Sequence, residues 1–371
     1  MQIKFEPNYT ITPKIMNSLM RIEAAKSVVK HSPIPSTVLA APKETAKIYS
    51  THYSTRIEGN TLSPEQVKEV VKHKAHFSGY ERDEQEVKGY YTALTQTEQW
   101  AAACTPVTEK MIQTIHALVM AEGEKKITPT AYRNGQNIIM NSKTRAIVYM
   151  PPKPHDVPNL MSEMVAWINK NNELPCPIIA SIAHYQFATI HPYFDGNGRT
   201  ARLLTMLILN LGDYDLKSLY VLEEYYVRNL GAYYDSIRIG ESHNYYQGRA
   251  HADITRWIEY LVEGMAIAFE DVVKQISTIN TQDAPNRNLH IRKLNIRQRK
   301  TLELFQDFKI ITSSQIGQLF ELKPRTSAKI CAEWVENGFL GIVDSSNKGR
   351  TYKLSKQFED IIQSQGTIQK N

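Results

Sequence analysis

The chain has 371 residues, 42% of them hydrophobic and 22% charged, which is ordinary for a globular protein of two or three domains. Its net charge of +6 suits an anionic ligand or a nucleic-acid surface without requiring either. The longest apolar run, Leu203 to Leu209, is far shorter than the roughly 20 residues of a membrane-spanning helix. The three distant cysteines show no disulfide or metal spacing, so we expect a cytoplasmic protein without membrane association.

In chain order, most segments have the 3.6-residue hydrophobic period of helices. The helical run PKETAKIYSTHY leads to Gly59, and in LSPEQV a capping-box pattern of Ser63, Pro64 and Gln66 starts the next helix. The strand-like segments QNIIM and RAIVYM, separated by the polar NSKT, predict a β-hairpin that the following prolines end. Two strongly apolar helices then flank residues 191–198.

The C-terminal part of the chain differs from the rest in its charge and in the shorter length of its predicted elements. Thr281 to Asn288 is polar, contains a proline and predicts a linker, and Asn286 to Lys300 has six basic residues and no acidic one. Three short helical patterns follow, the second opening with the capping-box pattern TSSQ, and then two apolar segments around a polar tip. This arrangement resembles a winged helix, whose third helix would face DNA.

The segment HPYFDGNGRTAR, His191–Arg202, places a loop directly before the N-terminus of a helix that we expect to begin after Gly198. Unpaired backbone N–H groups and the helix dipole favour an anion there. Arg199 and Arg202 share one face of the first turn, and cations there oppose the dipole unless an anion such as a phosphate chain lies between them. Each residue alone fits an ordinary loop, but the combined spacing indicates a phosphate site.

Two further residues of this segment suit phosphate chemistry. Asp195 is an oxygen ligand of the kind that Mg²⁺ takes when it also binds phosphates. His191 stands at the entrance of the loop, and an imidazole is the side chain best suited to act as a general base near neutral pH.

This segment resembles the signature of the Fic domain, His-x-Phe-x-Asp/Glu-Gly-Asn-Gly-Arg-x-x-Arg, with Tyr193 in place of the phenylalanine. The resemblance implies a mainly α fold with a small hairpin flap, and a protein adenylyltransferase that transfers AMP from Mg-ATP to a Ser, Thr or Tyr hydroxyl of a target protein or of itself. It implies that His191 is the base, that Asp195 binds Mg²⁺ and that Arg202 holds the γ-phosphate. The implied ATP-binding residues are Gly196, Asn197, Gly198, Arg199, Thr200, Ala201, Arg202 and Tyr234.

Some of these implications remain open on the sequence alone. Relatives that use the nucleotide as a phosphate donor tend to have Lys where this chain has Gly198, which favours AMP transfer. Tyr234 and its neighbour Tyr233 fit a helical core as well as an adenosine contact.

The predicted hairpin lies where the family has the flap that docks a target by strand addition. The flap residues are Ile147, Val148 and Tyr149, whose backbone would align the incoming hydroxyl. A purely structural hairpin is the alternative interpretation.

The segment STRIEGN, Ser54 to Asn60, resembles the inhibitory motif Ser/Thr-x-x-x-Glu-Gly/Asn of the same family. Ser54 and Glu58 are four apart and share one helix face. In the family that glutamate pairs with the second arginine of the signature, here Arg202, and competes with the γ-phosphate. The resemblance therefore implies an autoinhibited resting state, whereas Glu58 read alone is a surface glutamate near a helix end.

The predicted domains are an N-terminal helical region with the inhibitory helix, a Fic catalytic core, a basic linker and a winged-helix-like domain, at residues 1–105, 106–280, 281–296 and 297–371. Two other functions compete with AMP transfer. One is removal of AMP by the same fold. The other is DNA-binding regulation through residues 286–371, favoured by Lys323, Arg325 and Lys329 on the third tail helix and opposed by Glu333 and Glu336. A homodimer that covers the inhibitory helix is the candidate assembly.

Overall fold

The computed structural model describes residues 5–121, 127–140, 144–240, 243–282, 294–302, 304–320, 322–344, 350–355 and 358. The chain divides into two compact units, one of Met1–His31 and Lys43–Lys274 and the other of Ser32–Pro42 and Gln275–Asn371. Within the described ranges, none of the helices combines the length and the apolar character that crossing a membrane requires.

Helices dominate the part of the chain before residue 283, as the periodicity predicts. The helices before the hairpin are α1 (Pro13–His31), α2 (Ser36–Ile57), α3 (Pro64–His73), α4 (Glu81–Ala102) and α5 (Glu109–Val119). The hairpin strands are β1 (Ile139–Met140) and β2 (Ile147–Tyr149). The helices after it are α6 (Val157–Lys170), α7 (Cys176–Ile190), α8 (Asn197–Leu211), α9 (Leu222–Arg228), α10 (Leu230–Ile237) and α11 (Thr255–Gln282).

The core of the first unit is the pair α7 and α8, with α4, α5 and α6 packed around it. Nearly every side chain of α7 is buried, because this helix is apolar on all sides. Trp257 of α11 is fully buried against α7 and donates its indole N–H to the Ser181 carbonyl at 2.8 Å. This packing holds the loop between α7 and α8 on a rigid base.

The short segments before the core form as their sequence signals predict. Ser63 caps α3, with the Ser63 hydroxyl accepting from the Gln66 N–H and the Gln66 amide oxygen accepting from the Ser63 N–H. Gly59 has φ of +99°, which ends α2 at Ile57. The hairpin is antiparallel but shorter than predicted, and residues 141–143 of its expected tip lie outside the described residues.

The second unit contains α12 (Ile296–Thr301), α13 (Leu304–Asp307), β3 (Ile311–Thr312), α14 (Ser313–Leu319), α15 (Pro324–Glu336), β4 (Leu340–Asp344) and β5 (Thr351–Leu354). Thr312 and Gln315 form the predicted capping box of α14. The expected two-stranded ribbon is in fact a three-stranded antiparallel sheet in the order β3-β5-β4. Trp334, Phe339 and Tyr352 are buried in the core of this unit.

The mainly α fold class is confirmed, while the winged-helix assignment and the four domain boundaries stay predictions. Helix α11 continues through Gln282, two residues into the predicted linker, and most of that linker lies outside the described residues.

Candidate active site

His191 lies directly after α7, in the left-handed conformation that ends the helix. Its φ is +52°, and its N–H closes the last turn on the Phe187 carbonyl at 2.9 Å. The buried Arg133 holds the same residue from the other side, donating its Nε–H to the His191 carbonyl at 2.9 Å. The imidazole therefore projects from a backbone that is fixed on both sides.

The hydrogen bonding of the His191 ring is suited to a base. Nδ1 lies 3.3 Å from the Ala188 carbonyl oxygen. Because a carbonyl oxygen can only accept a hydrogen bond, Nδ1 carries the proton of the neutral ring and Nε2 is free to act as the acceptor. Burial lowers the pKa of His191 to about 4, although the Ala188 carbonyl opposes this shift. The ring is accordingly neutral at pH 7 and able to take a proton.

The loop between His191 and α8 is arranged around backbone N–H groups. Gly196 has φ of +72° and precedes the first residue of α8, which begins at Asn197 rather than after Gly198. The Asn197 side chain closes the loop, since its Nδ2 donates to the Tyr193 carbonyl at 2.8 Å and its Oδ1 accepts from the Tyr193 N–H at 3.1 Å. The N–H groups at the start of this turn have no carbonyl partner within α8, and the anion site predicted for the segment depends on them.

Arg202 joins the end of α2 to α8. Its Nε donates to the Ser54 hydroxyl at 2.7 Å, and its Nη2 donates to the Ser54 carbonyl at 2.9 Å and to Glu58 Oε1 at 2.8 Å. Arg202 and Ser54 are buried, whereas the Glu58 side chain is 30% exposed. A side chain on Gly198 would collide with the Glu58 carboxylate, so this glycine permits the approach of Glu58. The predicted juxtaposition of Ser54, Glu58 and Arg202 is therefore present.

Arg199 occupies a different environment on the same helix face. It is 3% exposed, with Nη1 3.7 Å from Glu86 Oε1 of α4 and Nη2 3.6 Å from Asp195 Oδ1. These are ion pairs without a short hydrogen bond, so the guanidinium keeps donors for another anion.

A cavity of about 530 Å³ opens between α2, the hairpin, the α7–α8 loop and α10. The predicted site residues that line it are Glu58, Val148, Tyr149, His191, Asn197, Gly198, Arg202 and Tyr234. Tyr233 lines it as well, buried beside Tyr234, which is 37% exposed.

Other predicted site residues lie around the cavity without lining it. Thr200 and Ala201 are buried in the interior of α8, where the Thr200 hydroxyl donates to the Gly196 carbonyl at 2.8 Å. Their side chains support the helix rather than face the cavity. The remaining predicted residues outside the lining are Ser54, Ile147, Asp195, Gly196 and Arg199.

The end of the hairpin is anchored close to His191, the candidate general base. Tyr149 is buried, and its hydroxyl donates to the Thr189 carbonyl at 2.7 Å, two residues before His191. Ile147 is 47% exposed. The hairpin is thus fixed to α7 through Tyr149, while Ile147 at the other end of β2 faces solvent.

Asp195 is the carboxylate available for a cation at the α8 N-terminus. Its side chain is 65% exposed, and Oδ1 accepts from the Gly196 N–H at 2.6 Å. Among the described residues, no group of three or more His, Cys, Asp or Glu side chains forms a ready-made metal site. One carboxylate fits Mg²⁺, which binds through one or two carboxylates together with water and substrate phosphates.

Sequence reasoning missed three residues that position this site. They are Arg133, His116 and Glu86. Arg133 also donates to the Gly135 and Pro152 carbonyls. His116 stacks on the Tyr193 ring at a centroid distance of 3.6 Å, and Glu86 pairs with Arg199. His116 Nε2–H also donates to the Asp195 carbonyl at 2.9 Å. No local pattern marks these residues, because each acts on a residue at least 58 positions away.

Residues 106–209 match the Fic/DOC family. The protein adenylyltransferase Fic of Drosophila grimshawi is 29% identical over 182 residues, which are 48% of this chain and 36% of that protein. A Fic family protein from Desulfovibrio desulfuricans has a similar fold over 95% of this chain and 99% of its own, at 23% identity and a TM-score of 0.59. Fic-1 from C. elegans has a similar fold over 71% of this chain and 73% of its own, at 22% identity and a TM-score of 0.57.

Residues 106–209 are therefore similar to the Fic/DOC family, and the mainly helical fold is similar to the folds of Fic proteins of known structure. The chain spans only 35 to 40% of the length of the curated Drosophila relatives named here and of those similar to them. The solved structures, all below 25% identity, establish the fold and not the reaction.

Proposed function

We propose that this protein is an adenylyltransferase that transfers AMP from Mg-ATP to a hydroxyl of a target protein, and that Glu58 inhibits it. The observation that carries the proposal is that His191 and the first turn of α8 line one cavity, where Arg202 donates to Glu58 at 2.8 Å. The relatives named protein adenylyltransferase support the reaction class.

In the proposed reaction, His191 Nε2 removes the proton from a target hydroxyl. The hydroxyl oxygen attacks the α-phosphorus of ATP, and the bond to the β-phosphate oxygen breaks to release pyrophosphate. Bound phosphates raise the pKa of a nearby imidazole, so the low pKa of His191 in the free protein is compatible with its role as a base.

The phosphates would lie along the N-terminal turn of α8. The N–H groups of Asn197 and Gly198 would bind them, and that of Gly196 would join these once Asp195 Oδ1, its acceptor in this structure, turns away. Arg199 and Arg202 would stabilise the phosphate charge. Mg²⁺ held by Asp195 would neutralise part of the phosphate charge. The exposed edge of the hairpin, Ile147 to Tyr149, would align the target segment by strand addition.

Inhibition would arise because Glu58 occupies the place of an anion. Its carboxylate accepts from the guanidinium that is proposed to hold the γ-phosphate, and it repels the triphosphate. ATP would then bind with its α-phosphate out of line for attack.

The test is label transfer from ATP with Mg²⁺ to protein, in parallel with α-phosphate and γ-phosphate label. We expect label from the α-phosphate alone, roughly tenfold or more stronger in Glu58→Gly than in the wild type. His191→Ala in the Glu58→Gly background should abolish the transfer and keep nucleotide binding. Label from the γ-phosphate would contradict AMP transfer, and a wild type as active as Glu58→Gly would contradict inhibition.

Removal of AMP by the same site is the second candidate. Glu58 lines the cavity with His191 and is partly exposed, so its carboxylate could orient a water molecule. Loss of de-adenylylation in Glu58→Gly, without a gain in AMP transfer, would favour this function over the first.

DNA binding by the second unit remains a prediction. Lys323 precedes α15 and is exposed, as are Arg325 and Lys329 on that helix, which supports phosphate contacts. Glu333 and Glu336 are exposed on the same helix and oppose them. A homodimer likewise remains a prediction.

A further inference from the structure

The two arginines of the α8 turn are held by carboxylates from two different parts of the chain. Glu58, directly after α2, accepts a 2.8 Å hydrogen bond from Arg202, whereas Glu86 of α4 lies 3.7 Å from Arg199. Arg199 is almost fully buried, and its Nε has no hydrogen-bond partner among the described residues. A buried guanidinium requires a counter-charge, and Glu86, itself 12% exposed, is the less exposed of the two carboxylates near it.

The Glu86 carboxylate is itself oriented by the residue that follows the inhibitory motif. Asn60 is 6% exposed, and its Nδ2 donates to Glu86 Oε2 at 3.1 Å and to the Asp83 carbonyl at 3.0 Å. On the solvent side, Arg82 Nε lies 3.3 Å from Glu86 Oε1, and the Arg82 side chain is 81% exposed. Asn60 therefore makes the buried contact, and Arg82 makes the one that water screens.

We propose that Glu86 is a positioning residue for Arg199 and that Asn60 orients Glu86. The three-residue segment Glu58–Asn60 then acts on both arginines, on Arg202 directly and on Arg199 through Glu86. The 3.7 Å separation fixes the direction of the guanidinium without a short hydrogen bond, so its donors stay available for phosphate oxygens. This inference rests on the proposed function, in which Arg199 binds the phosphates of ATP.

The consequence is that Glu86 assists nucleotide binding, although it is a carboxylate close to a proposed phosphate site. Its role is opposite to that proposed for Glu58. Replacing it with the neutral, isosteric glutamine keeps a partner for Asn60 and removes the charge that holds Arg199. The loss should fall on a ligand with three phosphates more than on one with a single phosphate.

The experiment measures the dissociation constants of Mg-ATP and of AMP by calorimetry. The parent protein carries Glu58→Gly, which removes the competitor of the γ-phosphate, and His191→Ala, which prevents turnover of ATP. Added to that parent, Glu86→Gln should weaken Mg-ATP binding about tenfold and AMP binding less than about twofold. Asn60→Ala should weaken Mg-ATP binding about threefold in the same selective way.

The matched control is Glu98→Gln, because Glu98 is also a carboxylate of α4 that pairs with α2, at 2.8 Å from Lys47 Nζ. It should leave both dissociation constants unchanged, as should Arg82→Ala. An unchanged or tighter Mg-ATP constant in Glu86→Gln, or an equal loss for Mg-ATP and AMP, would overturn the positioning role. If the parent chain binds Mg-ATP but Glu58→Gly transfers no AMP, the proposed function fails while the positioning role can still be judged.

Discussion

Tyr193 stands where the Fic signature has a phenylalanine, and its hydroxyl is the part of the side chain that the site does not use. The ring stacks on His116 and supports the loop that carries Asp195. The hydroxyl is buried without a hydrogen-bond partner among the described residues. An unsatisfied buried hydroxyl costs free energy, so the stacked ring accounts for an aromatic residue at this position and the hydroxyl adds no stabilisation.

We expect Tyr193→Phe to raise the free energy of unfolding by about 1 kcal/mol, because it removes a buried polar group and keeps the stacked ring. Chemical unfolding in urea measures the change. Tyr149→Phe is the matched control, since it removes a hydroxyl that donates to the Thr189 carbonyl at 2.7 Å, and it should lower the stability by about 1 kcal/mol. Equal effects of the two substitutions would contradict this account.

At the scale of an element, the end of α2 is held against α8 mainly by Arg202. Glu58→Gly should lower the melting temperature of the protein without nucleotide, because the buried guanidinium loses its carboxylate. Saturating Mg-ATP should then raise the melting temperature more than it does in the wild type, since the triphosphate takes the place of the carboxylate. Thermal unfolding with and without Mg-ATP checks both expectations.

Ser54→Ala is the control for this substitution. It removes the hydroxyl that accepts from Arg202 Nε but leaves Glu58 in place. It should lower the melting temperature without enlarging the response to Mg-ATP. A similar Mg-ATP response in both variants would count against competition between Glu58 and the nucleotide.

The elements that the sequence predicts well are those with local signals. The capping boxes of α3 and α14 are formed by residues three apart, and both are present. Strand β3 has only two residues and pairs with β5, about 40 positions later, so no local sequence pattern predicts it. The start of α8 at Asn197 rather than after Gly198 follows from the positive φ of Gly196, which completes the turn two residues earlier than expected.

For the whole molecule, histidines whose pKa is lowered by burial, among them His52, make stability depend on pH. Burial lowers the pKa values of His116 and His191 to about 4 and that of His184 to about 3. The unfolded chain takes up these protons near pH 6.5, whereas the folded chain does not until pH 4 or below. The unfolded state thus binds more protons in this window, and the free energy of unfolding falls as pH falls, by up to roughly 1.4 kcal/mol per pH unit for each histidine.

We expect urea unfolding to show a clear loss of stability between about pH 7 and about pH 5. Burial raises the pKa of Glu223, which acts in the opposite direction, so the comparison is best made in Glu223→Gln. His155 has a side chain that is 71% exposed, and His155→Gln should leave the slope unchanged. A free energy of unfolding that is constant over this range would contradict the burial of these rings as neutral groups.

The sequence by itself determined the helical periodicity, the caps, the hairpin and the side chains that one short segment brings together: a histidine, a carboxylate, a glycine-containing turn and two arginines. These features depend on residues that are close together in the sequence, so local sequence patterns predict them. The tertiary structure decided which carboxylate meets which arginine. Glu58 reaches Arg202 across 144 positions, and the contacts of Arg133 and Glu86 with this segment are likewise long-range. Such pairs are set by the packing of α2 and α4 against α8, which no local pattern encodes.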